Sequence, residues 1–182
     1  MILDIIYKSD INMKMRKIDI YMSASMLNNP IIKFLHDLMD HKHLIRKYKL
    51  NIHYTLGQCS KCREKNFMTK EKGCLSGGRY CVVDTEYRQN ELVKETLRQI
   101  CLRKQYNAEK VIKYLWKMKE TINSDMAENK WNAKNLELYS WNTIQNSKLD
   151  LGAIKKCYNE SFKLIGSDGK IIILFILFNK IK

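Results

Sequence analysis

The opening of the chain switches between two hydrophobic periodicities. From Lys17 to Ser23, apolar residues alternate with polar ones, which is typical of a β-strand. Asn29 then offers a helix N-cap and Pro30 a first helical residue, and apolar positions at helical spacing continue to about Lys47. A second alternating run extends from Leu50 to Leu56. The pattern predicts strand, helix, strand, with the two strands parallel in one sheet.

The remainder divides into a cysteine-rich stretch and a helical region. Residues 57–81 hold four of the six cysteines and four of the seven glycines, which indicates an irregular, cross-linked loop. Apolar residues at helical spacing then predict four helices, the last of which would end at a C-cap glycine, Gly166. The four segments run from Val93 to Cys101, Ala108 to Ile122, Trp131 to Ile144 and Leu151 to Ile165.

Length and composition indicate one globular domain with short flanking segments. The 182 residues are 45% hydrophobic and 29% charged, which is enough apolar material for a core. The net charge of +14 comes from lysines spread along the chain without a dense basic block, so we expect no nucleic-acid partner. The longest apolar run, Ile171 to Phe178, is too short to span a membrane, but it could serve as an improvised strand. Asp4 and Lys8 interrupt the apolar N-terminus, so no signal peptide is visible and the sequence by itself indicates a cytosolic chain.

The cysteines admit three interpretations. Cys59 and Cys62 form a CxxC, but it follows the second strand, whereas in thioredoxin-like oxidoreductases the motif opens the helix after the first strand. With Cys74 and Cys81 they would supply four thiolates to zinc, although the second pair is more widely spaced than in a usual zinc knuckle. Structural disulfides require no special spacing and are favoured, so we assign no metal and no cofactor. The pairing stays open among all six: Cys59, Cys62, Cys74, Cys81, Cys101 and Cys157.

Few other residues suggest chemistry. The histidines form no catalytic or metal-binding motif, and His36 and His43 are expected on a helix surface. Asn159 begins a formal N-glycosylation sequon, Asn-Glu-Ser, within the last predicted helix. No catalytic residue is assigned on these grounds.

Two motifs carry a resemblance to a known family. Gly78-Arg79-Tyr80-Cys81 is followed, after a spacer, by Leu97-Arg98-Gln99-Ile100-Cys101. Together they resemble the thioredoxin-like domain of plant and protist vacuolar sorting receptors, which shows G-R-Y-C and then L-R-Q-x-C. The Cys59–Cys62 motif after the second strand and the stretch from Leu149 to Cys157 are also similar to that domain.

The resemblance implies a thioredoxin-like α/β fold with a Cys-rich, mostly helical insertion. It covers residues 17–165, flanked by an N-terminal extension at 1–16 and an atypical apolar tail at 166–182. The family has a further cysteine pair before the position of Cys157 and a proline-containing strand after the last helix, and neither is present here. We therefore expect the C-terminal strands of the fold to be missing or replaced, as in a truncated member.

The resemblance also implies a function. Such a domain is a non-catalytic, lumenal receptor module in protein sorting to the vacuole or lysosome, with protein cargo or neighbouring receptor domains as partners. Two alternatives come from other classes of function. One is a thiol–disulfide oxidoreductase that uses Cys59 and Cys62, and the other is a zinc-binding structural module.

Overall fold

A computed structural model describes residues 16–22, 30–41, 48–54, 74–75, 80–81, 90–130, 132 and 135–167. It begins with strand β1 (Arg16–Met22), helix α1 (Pro30–Asp40) and strand β2 (Tyr48–Tyr54). The strands pair in parallel, with Arg16 opposite Tyr48 and Met22 opposite Tyr54. The predicted strand–helix–strand opening and its parallel sheet are therefore present.

The two faces of this sheet differ as the alternating pattern predicts. One face carries the buried Ile20 and Met22 of β1 with Leu50, Ile52 and Tyr54 of β2. These side chains belong to one hydrophobic core together with Ile31, Ile32 and Leu35 of α1. The opposite face carries polar residues, because successive side chains of a strand point to opposite sides.

Helix α1 is shorter than predicted. It ends at Asp40, where the backbone N–H of His41 donates to the carbonyl of Leu38 at 3.2 Å and closes the last turn. The helix therefore does not continue through His41, where this tighter hydrogen bond replaces the regular helical one. The rest of the expected extension, residues 42–47, lies outside the described residues. Ile45, on which the longer estimate depended, lies outside the described residues.

A short antiparallel ladder lies within the expected irregular loop. Strand β3 (Cys74–Leu75) pairs with β4 (Tyr80–Cys81), and Cys74 is opposite Cys81. Both strands contact the helix that follows.

The second half is helical. It comprises α2 (Asn90–Gln105), α3 (Ala108–Ala127), α4 (Leu136–Asn146) and α5 (Leu151–Ser167). The side chain of Asn107 caps α3 by accepting from the N–H of Lys110 at 3.1 Å, and Asp150 caps α5 by accepting from Ala153 at 2.9 Å. Helix α5 continues through Gly166, so the predicted C-cap there is wrong; a glycine permits a helix end without imposing one.

Helix α2 is the centre of the helical half. It packs against α3, α4 and α5 and also contacts β2. Leu97, Arg98 and Gln99 are consecutive in sequence and all buried, so the helix is enclosed on several sides. An enclosed helix must pair its polar side chains inside the protein, and this requirement produces the site described next.

Candidate functional site

A buried carboxylate organises the interior between the helices. Both oxygens of Glu95 accept hydrogen bonds. The Nε of Arg98 donates to Oε2 at 2.9 Å, while the Nε2 of Gln99 and the hydroxyl of Tyr114 each donate to Oε1 at 2.7 Å. Ser140 in turn lies 2.7 Å from the Tyr114 oxygen; because that hydroxyl gives its proton to Glu95, Ser140 is the donor. The network joins α2, α3 and α4 through side chains with no exposed surface.

These linked side chains form a central network, and Arg98 is its cation. Its guanidinium carbon lies 5.5 Å from the ring centroid of Trp141 on α4 and 5.5 Å from that of Tyr158 on α5. Such cation–π contacts favour a buried guanidinium. Its terminal nitrogens, Nη1 and Nη2, are buried and have no hydrogen-bond partner among the residues that the structure describes. The carboxylate of Glu137 lies 4.0 Å from Nη1.

Burial and charge change the acidity of the surrounding groups. Burial works to lower the pKa of Arg98, but the charge and hydrogen bond of Glu95 outweigh it and raise that pKa above its ordinary value. Burial, reinforced by the negative charge of Glu95, raises the pKa of Tyr114 well above the usual range. Burial likewise raises the pKa of Tyr158 to about 12. At neutral pH the arginine is therefore charged and the two phenols are neutral.

A disulfide lies directly beside the central network. Cys101 of α2 is bonded to Cys157 of α5, with 5.8 Å between their Cα atoms. Cys101 follows Arg98 by one helical turn, and Cys157 immediately precedes Tyr158. The covalent link therefore holds α5 where Tyr158 covers the guanidinium.

A second polar cluster lies on the sheet face away from the core. Asp19 Oδ1 is 2.8 Å from the Nε2 of His53 and accepts from the Nδ2 of Asn51 at 3.0 Å. The His53 ring stacks on Tyr21 with 4.7 Å between centroids. Arg103 of α2 donates to the Asn51 side chain at 3.3 Å and so ties the cluster to the helical half. Partial burial works to raise the pKa of Asp19, but the hydrogen bonds from His53 and Asn51 lower it overall.

The family motif can now be compared with the structure. Three motif residues are buried on α2: Leu97, Arg98 and Gln99. Tyr80 lies in β4, next to its motif cysteine, whereas Gly78 and Arg79 lie outside the described residues. The two polar motif residues, Arg98 and Gln99, are buried because both bind Glu95 in the central network.

The comparison with protein families decides the identity. The chain matches the vacuolar sorting receptor thioredoxin-like domain over residues 24–170, about four fifths of its length. The chain belongs to this family. Searches of curated proteins and of solved structures gave no match. The resemblance to the vacuolar sorting receptor domain that the two motifs carry is therefore confirmed.

The other site residues expected from the sequence fall in three places. Asn159 is exposed on α5, so its side chain is accessible on the folded receptor domain. Cys74 and Cys81 are opposite each other in the β3–β4 ladder, and Cys59 and Cys62 lie outside the described residues. Among the residues that the structure does describe, no three His, Cys, Asp or Glu side chains are grouped to hold a metal ion. Within the same residues, no helix has the length and apolar character needed to cross a membrane.

Sequence reasoning missed several residues of this receptor domain. Glu95 and Tyr114 were not singled out, although the spacing of Glu95 to Arg98 and Gln99, three and four residues, is the signal for contact along a helix. His36 was expected on the helix surface, but its ring stacks on Trp116 with 3.9 Å between centroids. His36 is therefore half-buried at the surface, where α1 packs against α3. His43 lies outside the described residues.

Proposed function

We propose that this chain is a non-catalytic receptor module in the lumen of the secretory or endosomal pathway, where it takes part in sorting proteins to the vacuole or lysosome. The observation that carries the proposal is the family match over residues 24–170. Its partners are protein cargo or neighbouring receptor domains, and it uses no cofactor and binds no nucleic acid.

Two structural features support a binding module over an enzyme. The buried Glu95 accepts hydrogen bonds at both carboxylate oxygens, so its side chain is occupied by structural contacts within the helical half. The disulfide between Cys101 and Cys157 suits an oxidising compartment, in which such bonds form and persist.

The proposal includes a division of the chain and a role for the other cysteines. Residues 17–165 form the receptor-type domain, between an extension at 1–16 and a tail at 166–182, and the domain has a mostly helical insertion and lacks or replaces its last strands. Four further cysteines form two more disulfides: Cys59, Cys62, Cys74 and Cys81.

Intact mass tests the disulfides and the compartment. The chain is expressed with a supplied signal sequence, and its mass is recorded after alkylation with and without prior reduction. We expect three disulfides, so alkylation is blocked at all six cysteines until reduction. A folded protein with six freely alkylated thiols would contradict the lumenal assignment. An Asn159→Gln variant in the same experiment tests glycan attachment at Asn159, which would appear as a mass lost only in that variant.

A domain exchange tests the sorting role. The chain replaces the thioredoxin-like domain of a vacuolar sorting receptor, and delivery of a vacuolar cargo reporter is compared with its secretion. We expect delivery close to that of the intact receptor and well above that of a receptor without the domain. Secretion equal to that of the domain deletion, with the chimera folded and correctly located, would refute the proposal.

Two further measurements separate the alternatives. An oxidoreductase would reduce insulin in the presence of dithiothreitol and lose that activity in Cys59→Ser, whereas we expect no rate above background in either protein. A zinc module would contain one equivalent of metal after purification, whereas we expect none.

A further inference from the structure

The terminal nitrogens of Arg98 are the least satisfied charged atoms of the central network. Glu95 accepts from Nε, and within the described part of the chain Nη1 and Nη2 are buried without a hydrogen-bond partner. A guanidinium presents its donors in a planar fork that fits a carboxylate by two parallel hydrogen bonds. Buried polar groups in native proteins nearly always have a partner, so we expect Nη1 and Nη2 to donate to an acceptor.

Glu137 is a partly exposed residue beside one of these nitrogens. Its carboxylate lies 4.0 Å from Nη1, beyond hydrogen-bond distance, and its side chain is 47% exposed. The indole N–H of Trp141 donates to the same Glu137 oxygen at 3.2 Å. Glu137 thus stands at the solvent side of the fork, near the guanidinium but held by the indole.

The two helices that flank the guanidinium, α4 and α5, carry exposed apolar side chains and a lysine. Phe162 is 37% exposed and stacks on Tyr158, and Leu138 is 58% exposed on α4. Lys155 lies over the Trp141 ring at 5.4 Å. Large exposed apolar side chains near a desolvated arginine are typical of protein-binding surfaces.

We infer that Arg98 is a binding site for a carboxylate side chain on a protein partner, in a segment where apolar residues flank an Asp or Glu. The partner carboxylate takes the place of Glu137 and binds Nη1 and Nη2, while its apolar neighbours contact Leu138 and Phe162. The exchange of one carboxylate for another leaves the net charge beside Glu95 unchanged, whereas a phosphate dianion would add negative charge there. The kind of partner rests on the proposed receptor role, and the site itself rests on the geometry of Arg98.

The experiment uses the folded, oxidised chain and two synthetic peptides. One is acetyl-Gly-Phe-Asp-Leu-Gly-amide, and the other has Asn in place of Asp. Nitrogen–proton NMR spectra follow the indole signal of Trp141 and the Nε–H signal of Arg98 during titration. Trp116 is an internal reference, because its indole donates to Glu120 at 2.8 Å in an exposed pair of the same spacing.

We expect the Asp peptide to shift the Trp141 and Arg98 signals saturably, with at least tenfold weaker binding of the Asn peptide. Glu137→Gln removes the competing charge and should tighten binding of the Asp peptide several-fold. The matched variant Glu120→Gln should leave the affinity unchanged. None of these variants alters Glu95 or Arg98, so the central network remains intact.

Two results would overturn the inference: no saturable shift in either the wild type or Glu137→Gln, or equal binding of the Asp and Asn peptides. Its failure is distinguishable from failure of the receptor role. If the chimera sorts cargo but the isolated chain does not bind the Asp peptide, the Arg98 site is refuted and the receptor role stands. If the chain binds the Asp peptide but the chimera does not sort cargo, the receptor role is refuted and the Arg98 site stands.

Discussion

The β1–α1–β2 unit and the helical half bury different kinds of side chains. In the first, the buried faces are apolar, and the charged Asp19 lies on the opposite sheet face, where it is partly exposed. In the second, α2 brings Glu95 and Arg98 into the core with no exposed surface. An apolar contact tolerates many partners, whereas a buried ion pair requires particular donors and acceptors at particular positions. The helical half is therefore the more sensitive of the two regions to substitution.

The largest effect is expected from breaking the buried ion pair. Arg98→Met leaves the Glu95 carboxylate without its cation, which should lower the free energy of unfolding by about 3–5 kcal/mol in urea titrations. The double variant Glu95→Leu/Arg98→Met should recover most of that loss, since no uncompensated charge remains. Lys33→Ala, at an exposed ion pair of 2.6 Å on α1, should change stability by less than about 1 kcal/mol. Equal losses in the single and double variants would argue against this account.

Removal of the disulfide should come next. Cys101 and Cys157 are 56 residues apart, and closing a loop of this size stabilises a fold by about 4 kcal/mol through the unfolded chain. Cys101→Ala/Cys157→Ala should therefore unfold at lower urea concentration. The Trp141 indole signal should broaden as α5 loosens over Arg98. A double variant with the wild-type midpoint would show that packing alone holds α5.

A matched pair of apolar substitutions should show a smaller and equal effect in both regions. Ile32 of α1 and Ile112 of α3 have no exposed surface. Each Ile→Val change should cost about 0.5–1.5 kcal/mol, because one buried methylene is lost. Urea titration of both variants checks this. A much larger loss at Ile112 would indicate that the helical half is sensitive for reasons of packing as well as charge.

The smallest effect is expected at Asp19. Its pKa in the folded protein lies below the ordinary value of 3.8, so its ionised form contributes stability above that value, and the contribution is lost as pH falls through the folded pKa. Asp19→Asn should lower stability by less than about 1 kcal/mol near neutral pH, because the side chain is partly exposed. The difference between the two proteins should vanish in strong acid. A difference that persists there would mean that the amide disrupts the cluster sterically.

Much of the fold follows from local patterns. Alternation located β1 and β2, and helical spacing located the four later helices, because one face of each element must be buried. The ends of the helices were harder to predict from the sequence. Asp40 ends α1 through a backbone hydrogen bond at His41 that leaves no mark in the sequence, and α5 passes through Gly166.

The site was harder to predict than the fold. Arg98 and Gln99 came from a family motif, but charged residues are usually exposed, and nothing in the pattern indicated that α2 is enclosed. Glu95 was missed for the same reason. The pairing of Cys101 with Cys157 also depended on the packing of α2 on α5, because several pairings of six cysteines satisfy the sequence equally well.

The sequence by itself determined the strand–helix–strand opening, the four later helices and the family to which they belong, since periodicity and motif spacing are properties of the chain. Only the tertiary structure decided that Glu95 and Arg98 share one interior and that Trp141 and Tyr158 flank the guanidinium. It also decided that the terminal nitrogens of Arg98 lack a partner among the described residues. The physical reason is that burial belongs to the assembled helices. Whether a charged residue on α2 meets water or a carboxylate depends on three other helices, which the local sequence around it does not specify.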